Sequence, residues 1–109
     1  MKAQDKEEKD RIKFRFAAGL HLALKNSKLN SFRKLAKEAG MEPAHIQKIS
    51  VGKLDISLTK SIAIAAALGI SYTELASYYD NVTDKDIQDF LKLLNSQRKS
   101  RGKSSKKSP

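Results

Sequence analysis

Residues 31–53 read SFRKLAKEAGMEPAHIQKISVGK, and their spacing predicts two short helices joined by a tight turn. Ser31 can cap the first helix, whose apolar side chains recur every three or four residues. Gly40 can adopt the left-handed conformation that ends a helix. Pro43 suits the first turn of the next helix, which we expect over residues 43–50. Only a short turn therefore separates the two helices.

The second of these helices has one aliphatic face and one polar face. Ile46 and Ile49 are three residues apart and predict the side that packs against a core. The other side chains are free to contact a partner, and they are Pro43, Ala44, His45, Gln47 and Lys48. We therefore predict that this helix carries the binding surface, although His45 fits an ordinary surface position equally well.

Two further helices flank this pair in the sequence. The first spans residues 11–25, with His21 on its surface. The other opens at Ser57 and is the most apolar of all. Its expected core-facing stripe is Leu58, Ile62, Ala65, Ala66 and Gly69. No segment alternates apolar and polar residues with a period of two, so the sequence predicts an all-α fold.

Two more helices complete the prediction. Ser71 and Glu74 form a capping box that starts the fifth helix, which ends near Asp80. A sixth helix runs from Thr83 to about Asn95. Its apolar stripe is Ile87, Phe90, Leu91 and Leu94. This stripe can equally cover its own domain or form the interface of a homodimer.

The charge of the chain favours a polyanionic partner. Its 109 residues include 22 Lys and Arg against 12 Asp and Glu, a formal net charge of +10. Six of these bases lie in residues 96–109, which contain no acid, so the remaining chain carries 16 bases against 12 acids. Nucleic acid and an acidic membrane surface are the partners that such an excess attracts. Charge alone does not decide between these two partners.

Several classes of protein are disfavoured by what the composition lacks. Cysteine is absent, which excludes disulfides and thiolate metal sites. The longest apolar run, residues 62–70, is too short to span a bilayer. We expect a soluble cytoplasmic protein without cofactor, metal or enzymatic activity, because no motif places acids, bases or nucleophiles together.

The run from Ser31 to Leu75 resembles the phage-repressor-type, or Xre-like, helix-turn-helix family of DNA-binding proteins. The resemblance covers residues 12–79 and lies in the order and spacing of small and aliphatic positions. These positions are Leu35, Ala36, Ala39, Gly40, Met41, Ile46, Ile49, Gly52, Lys53, Ala65, Leu68, Gly69, Ile70 and Leu75.

The resemblance implies a five-helix, repressor-like domain over residues 11–80 that binds double-stranded DNA and regulates transcription. A charged arm over 1–10 precedes it, and an amphipathic helix over 81–95 and a disordered basic tail over 96–109 follow it. The implied DNA contacts are Ser31, Lys34, Pro43, Ala44, His45, Gln47, Lys48 and Lys53. Phe32 stands where the family often has a polar residue that contacts phosphate.

Two other functions fit the same sequence. The chain can be an antitoxin-like module that holds a partner protein through the sixth helix and regulates its own operon. It can also be a protein-interaction adaptor that binds no DNA. The basic tail can follow DNA phosphates or serve only solubility.

Overall fold

The computed structural model describes the backbone of residues 2–107 and the side chains of residues 6–97. All of the described secondary structure is helical, which confirms the all-α prediction. The six helices are α1 (Lys2–Lys25), α2 (Phe32–Ala39), α3 (Pro43–Ser50), α4 (Leu58–Leu68), α5 (Tyr72–Asp80) and α6 (Asp84–Lys107). None of them, over the described part, is long and apolar enough to cross a membrane.

Side-chain caps fix where four of the helices begin. The Ser71 hydroxyl accepts a hydrogen bond from the Glu74 N–H at 3.1 Å, and the Glu74 carboxylate accepts one from the Ser71 N–H at 3.4 Å. This confirms the predicted capping box. Thr83 and Asp86 make the same reciprocal pair at the start of α6. The other two capping residues are Ser31 and Ser57.

The two terminal helices are longer than their apolar spacing predicts. α1 begins at Lys2, because residues 2–10 contain no Gly or Pro and are rich in Lys and Glu, which favour helix. α6 continues to Lys107, so disorder is not found where it was expected after Asn95. Lys and Arg also favour helix, and near a C-terminus they complement the helix dipole. The rest of the expected arm and tail, residues 1, 108 and 109, lies outside the described residues.

Two hydrophobic clusters hold the helices together. The main core contains side chains from each of the first five helices. Its most deeply buried side chains are Leu20, Leu35, Ile46, Ile49, Ile64 and Leu75. Burying one such side chain contributes about 1.5–3 kcal/mol. α6 packs on α1 through a smaller cluster that consists of Ala17, Ala18, Val82 and Phe90. The last helix is therefore anchored separately from the main core.

The predicted inward face of α4 is only partly correct, since Ala65 alone of the expected stripe is buried. Ser61, Ile64, Ala65 and Leu68 are the buried residues of this helix, whereas Leu58, Ile62 and Ala66 are exposed. Both sets recur at helical spacing, so periodicity could not distinguish them. The orientation is set by the packing of α4 on α2 and α5. An apolar stripe is left on the surface as a result.

Candidate functional site

A tight turn sets α3 beside α2. Gly40 has a φ of +68°, and its N–H donates to the carbonyl oxygen of Lys37 at 3.2 Å. The Met41 N–H donates to the Ala36 carbonyl oxygen at 2.8 Å, which closes the end of α2. Pro43 is then the first residue of α3. Both helices lie on the same core, so the turn fixes their relative orientation.

The two faces of α3 are separated as the sequence predicts. Ile46 and Ile49 are each only 1% exposed and anchor the helix in the main core. The outward side brings together exposed side chains with different chemistry. These are Pro43, Ala44, Gln47 and Lys48. The helix therefore presents an amide, an ammonium group and a small apolar side chain to solvent.

His45 differs from the other residues of this surface, because it is half-buried and turned towards α4. Its Nε2 atom lies 3.2 Å from the Lys60 Nζ atom. A lysine ammonium group only donates, so Nε2 is the acceptor in this contact. Lys60 was missed by the sequence reasoning. The Ser57 cap predicts that Lys60 lies in the first turn of α4, but nothing in the sequence pairs it with α3.

Polar and basic groups also lie at the start of α2 and just after α3. The Ser31 hydroxyl accepts from the Lys34 N–H at 3.2 Å and keeps its own hydrogen free to donate. Lys34 and Lys53 are exposed. The Lys53 N–H donates to the Lys48 carbonyl oxygen at 3.0 Å, which holds residue 53 close to the end of α3. Glu42, also exposed, is an acid at the opposite end of the helix.

The C-terminal end of α3 is tied to α1 by a histidine that was expected on the surface. His21 is half-buried, and its Nε2 atom donates to the Ser50 carbonyl oxygen at 2.9 Å. Its ring packs against Phe32 and Phe90, with centroid distances of 4.7 and 4.8 Å. Burial lowers the pKa of His21 below 6.5, and the hydrogen bond to Ser50 opposes this shift. The surface prediction for His21 is therefore wrong.

A close backbone contact also fixes the segment after α3. Gly52 has a φ of +77°, and a Cβ atom placed there would lie 3.0 Å from the Phe14 Cα atom. Only glycine satisfies both conditions without displacement of α1. The position of Lys53 therefore depends on this contact.

The proposed interface residues of α6 do not share one environment. Phe90 is 4% exposed and belongs to the smaller core, so of the two expected roles it takes the first and covers its own domain. Ile87 and Leu94 are half-buried against the same cluster, whereas Leu91 is 46% exposed. Leu91 and Leu94 line a groove of about 460 Å³ that also includes Lys48 and Lys53. The middle of α6, over residues 91–97, thus lies beside the end of α3.

Among the described residues, no cluster of His, Asp and Glu side chains could hold a metal ion. A scan against models of protein families gives no match, and a search of curated proteins finds no relative. The function is therefore inferred from the geometry of the site and the charge of the chain.

Proposed function

We propose that this chain binds double-stranded DNA in a sequence-specific manner through α3 and acts as a transcriptional repressor of the helix-turn-helix type. The observation that carries the proposal is the division of α3 into two faces. Ile46 and Ile49 hold the helix in the core, while Gln47 and Lys48 are exposed together. A single helix of this kind fits the width of the DNA major groove.

The exposed side chains of α3 suit the reading of base edges. The Gln47 amide can donate to N7 and accept from N6 of adenine as a bidentate pair, and Lys48 can donate to O6 and N7 of guanine. Ala44 can pack on the methyl group of thymine. Each such pair discriminates against a wrong base by about 1–3 kcal/mol.

The polar and basic groups of α2 and of the segment after α3 suit contacts with the phosphate backbone. We assign Ser31, Lys34 and Lys53 to phosphate contacts, and Lys60 joins them because of its contact with His45. Phosphate contacts position a protein on the duplex but carry no sequence information. In this proposal the chain represses transcription because its binding to an operator blocks the access of polymerase.

The test is a selection of bound sequences from a random duplex library, followed by affinity measurements over a range of salt concentrations. We expect one enriched sequence and a log-log slope of about −0.9 for each phosphate contact. Binding without sequence enrichment, or a slope of zero, contradicts the proposal.

A second candidate function is protein binding through α6. It is favoured by the exposure of Leu91 and Leu93 on this helix. A protein that binds no duplex at low salt but recruits a partner through α6 would support it.

A further inference from the structure

The groove of about 460 Å³ separates the end of α3 from the middle of α6. Gln47 and Lys48 border it from α3, and Asn95 and Gln97 border it from α6. All four side chains are exposed. The two side chains that we propose to contact bases are therefore also part of one wall of this groove.

Both walls of the groove are fixed to the same helix, α1. The centroid of the Phe90 ring in α6 lies 4.8 Å from that of Phe14 and 4.8 Å from that of His21. His21 also donates to the Ser50 carbonyl oxygen at the end of α3. Packing within the chain therefore holds α3 and α6 in place on either side of the groove.

The charge of the groove favours an anionic occupant. Lys48 and Lys53 line it, and no carboxylate is among its described lining residues. The acids that stand close in sequence to a lining residue are Asp10, Asp55 and Asp89. Asp10 and Asp89 are ion-paired with lysines of their own helices, at 3.5 and 3.3 Å. After Asp89 the chain contains no further acid, so the α6 wall leads into a purely basic segment.

The width of the major groove of DNA limits where α6 can lie on a duplex. The major groove is about 12 Å wide and an α-helix with its side chains is about 10–12 Å across, so the major groove admits α3 alone. When α3 occupies it, a helix beside α3 lies over the sugar-phosphate backbone at the edge of the major groove. The amides of Asn95 and Gln97 carry N–H groups that can donate to phosphate oxygens there.

We propose that the groove between α3 and α6 holds the sugar-phosphate backbone of the DNA strand beside α3, with Asn95 and Gln97 as phosphate donors. The inference rests on the proposed binding of α3 to DNA, and it adds α6 as a second helix that contacts the duplex. An acidic protein is the other occupant that the basic rim suits, but it would cover Lys48 and compete with DNA.

Isosteric substitutions test the two amides. Asn95→Asp and Gln97→Glu keep the shape of each side chain, remove its N–H donors and add one negative charge. On the duplex enriched from the random library, we expect each to weaken binding about tenfold, because a hydrogen bond to a charged group is replaced by repulsion.

Gln88→Glu is the matched control. Gln88 is exposed on α6 and does not line the groove, and its replacement adds the same charge. It lies about 10 Å along the helix from Asn95, which exceeds the Debye length of about 8 Å at physiological salt, so we expect a change of less than about twofold. Circular dichroism checks that all three variants are folded.

The absence of cysteine permits a second readout that does not depend on affinity. Gln97→Cys and Gln88→Cys each carry a photo-crosslinker, and we expect residue 97 to crosslink to one strand beside the bound site at least about tenfold more than residue 88, since crosslinking requires proximity.

Three outcomes contradict the inference. Unchanged affinity in Asn95→Asp and Gln97→Glu, with equal crosslinking from both cysteines, overturns it, leaves the proposed function standing and opens the groove to an acidic protein. An equal loss of affinity in Gln88→Glu also overturns it, because added charge alone is then the cause. An unmodified chain that binds no duplex overturns the inference together with the proposed function.

Discussion

His21 in α1 donates a hydrogen bond to the carbonyl oxygen of Ser50, the last residue of α3. Ser50 is itself buried, and its hydroxyl donates to the Gln47 carbonyl oxygen at 2.8 Å. Phe32 and Phe90 enclose the His21 ring from α2 and α6. The His21 imidazole therefore lies between α2, α3 and α6. It fixes the end of α3, the helix that carries the residues proposed to contact DNA bases.

We expect this histidine to make the fold less stable in mild acid. Because burial lowers the pKa of His21 below 6.5, the unfolded chain binds more protons as the pH falls through that value. The contribution of neutral His21 to the free energy of unfolding is fully present above pH 6.5 and is lost progressively below it. Urea unfolding between about pH 7.5 and about pH 5 should show a falling midpoint.

His21→Gln tests the origin of this pH dependence, since the glutamine amide can still donate but does not titrate. The variant should lose most of the slope of stability against pH. An unchanged slope in His21→Gln would assign the effect to other groups.

Gly52→Ala should destabilise the fold more than Gly40→Ala. Both glycines have positive φ, for which a side chain costs about 1–2 kcal/mol. At Gly52 the new Cβ also meets the Phe14 backbone at 3.0 Å, whereas at Gly40 it meets nothing within 4 Å. Chemical denaturation of the two variants measures the difference. Equal losses would show that the Phe14 contact yields without cost.

Residues proposed to contact bases and residues proposed to contact phosphates should respond differently to substitution by alanine. Gln47→Ala or Lys48→Ala should cost about 1–3 kcal/mol on the preferred duplex and relax its sequence preference. Lys53→Ala should weaken preferred and random duplexes alike and reduce the salt slope by about 1. Binding titrations on both duplexes measure these effects. If Lys48→Ala weakens both duplexes equally, Lys48 contacts phosphate and reads no base.

Local signals predicted much of this fold, whereas contacts between distant segments were not predictable. Capping residues and left-handed glycines have consequences within one turn, so the starts of α2 and α5 follow from the sequence. The direction that α4 faces depends on which neighbours it meets, and its two apolar stripes left that choice open. The partnership of His21 with Ser50 joins residues 29 positions apart, and no spacing rule links them.

The same limit applies to the candidate site. The outward residues of α3 could be assigned because Ile46 and Ile49 define the inward face. The contact between His45 and Lys60 could not be predicted from the sequence, since it depends on how α3 and α4 pack against each other.

The basic C-terminal segment should add affinity for DNA without changing sequence preference. Its six bases are Arg98, Lys99, Arg101, Lys103, Lys106 and Lys107. The described part of α6 that leads to them lines a groove with Lys48 and Lys53, so the segment starts beside the proposed DNA surface. Deleting residues 96–109 should weaken binding to preferred and random duplexes alike and make the salt slope shallower, by about 0.9 for each lost phosphate contact. Replacing the six bases with Gln in the 109-residue chain is the control for length, and it should reproduce the deletion if charge is the cause. Titrations at low salt measure both variants. Affinity and slope that match those of the unmodified chain would leave this segment without a role in binding DNA.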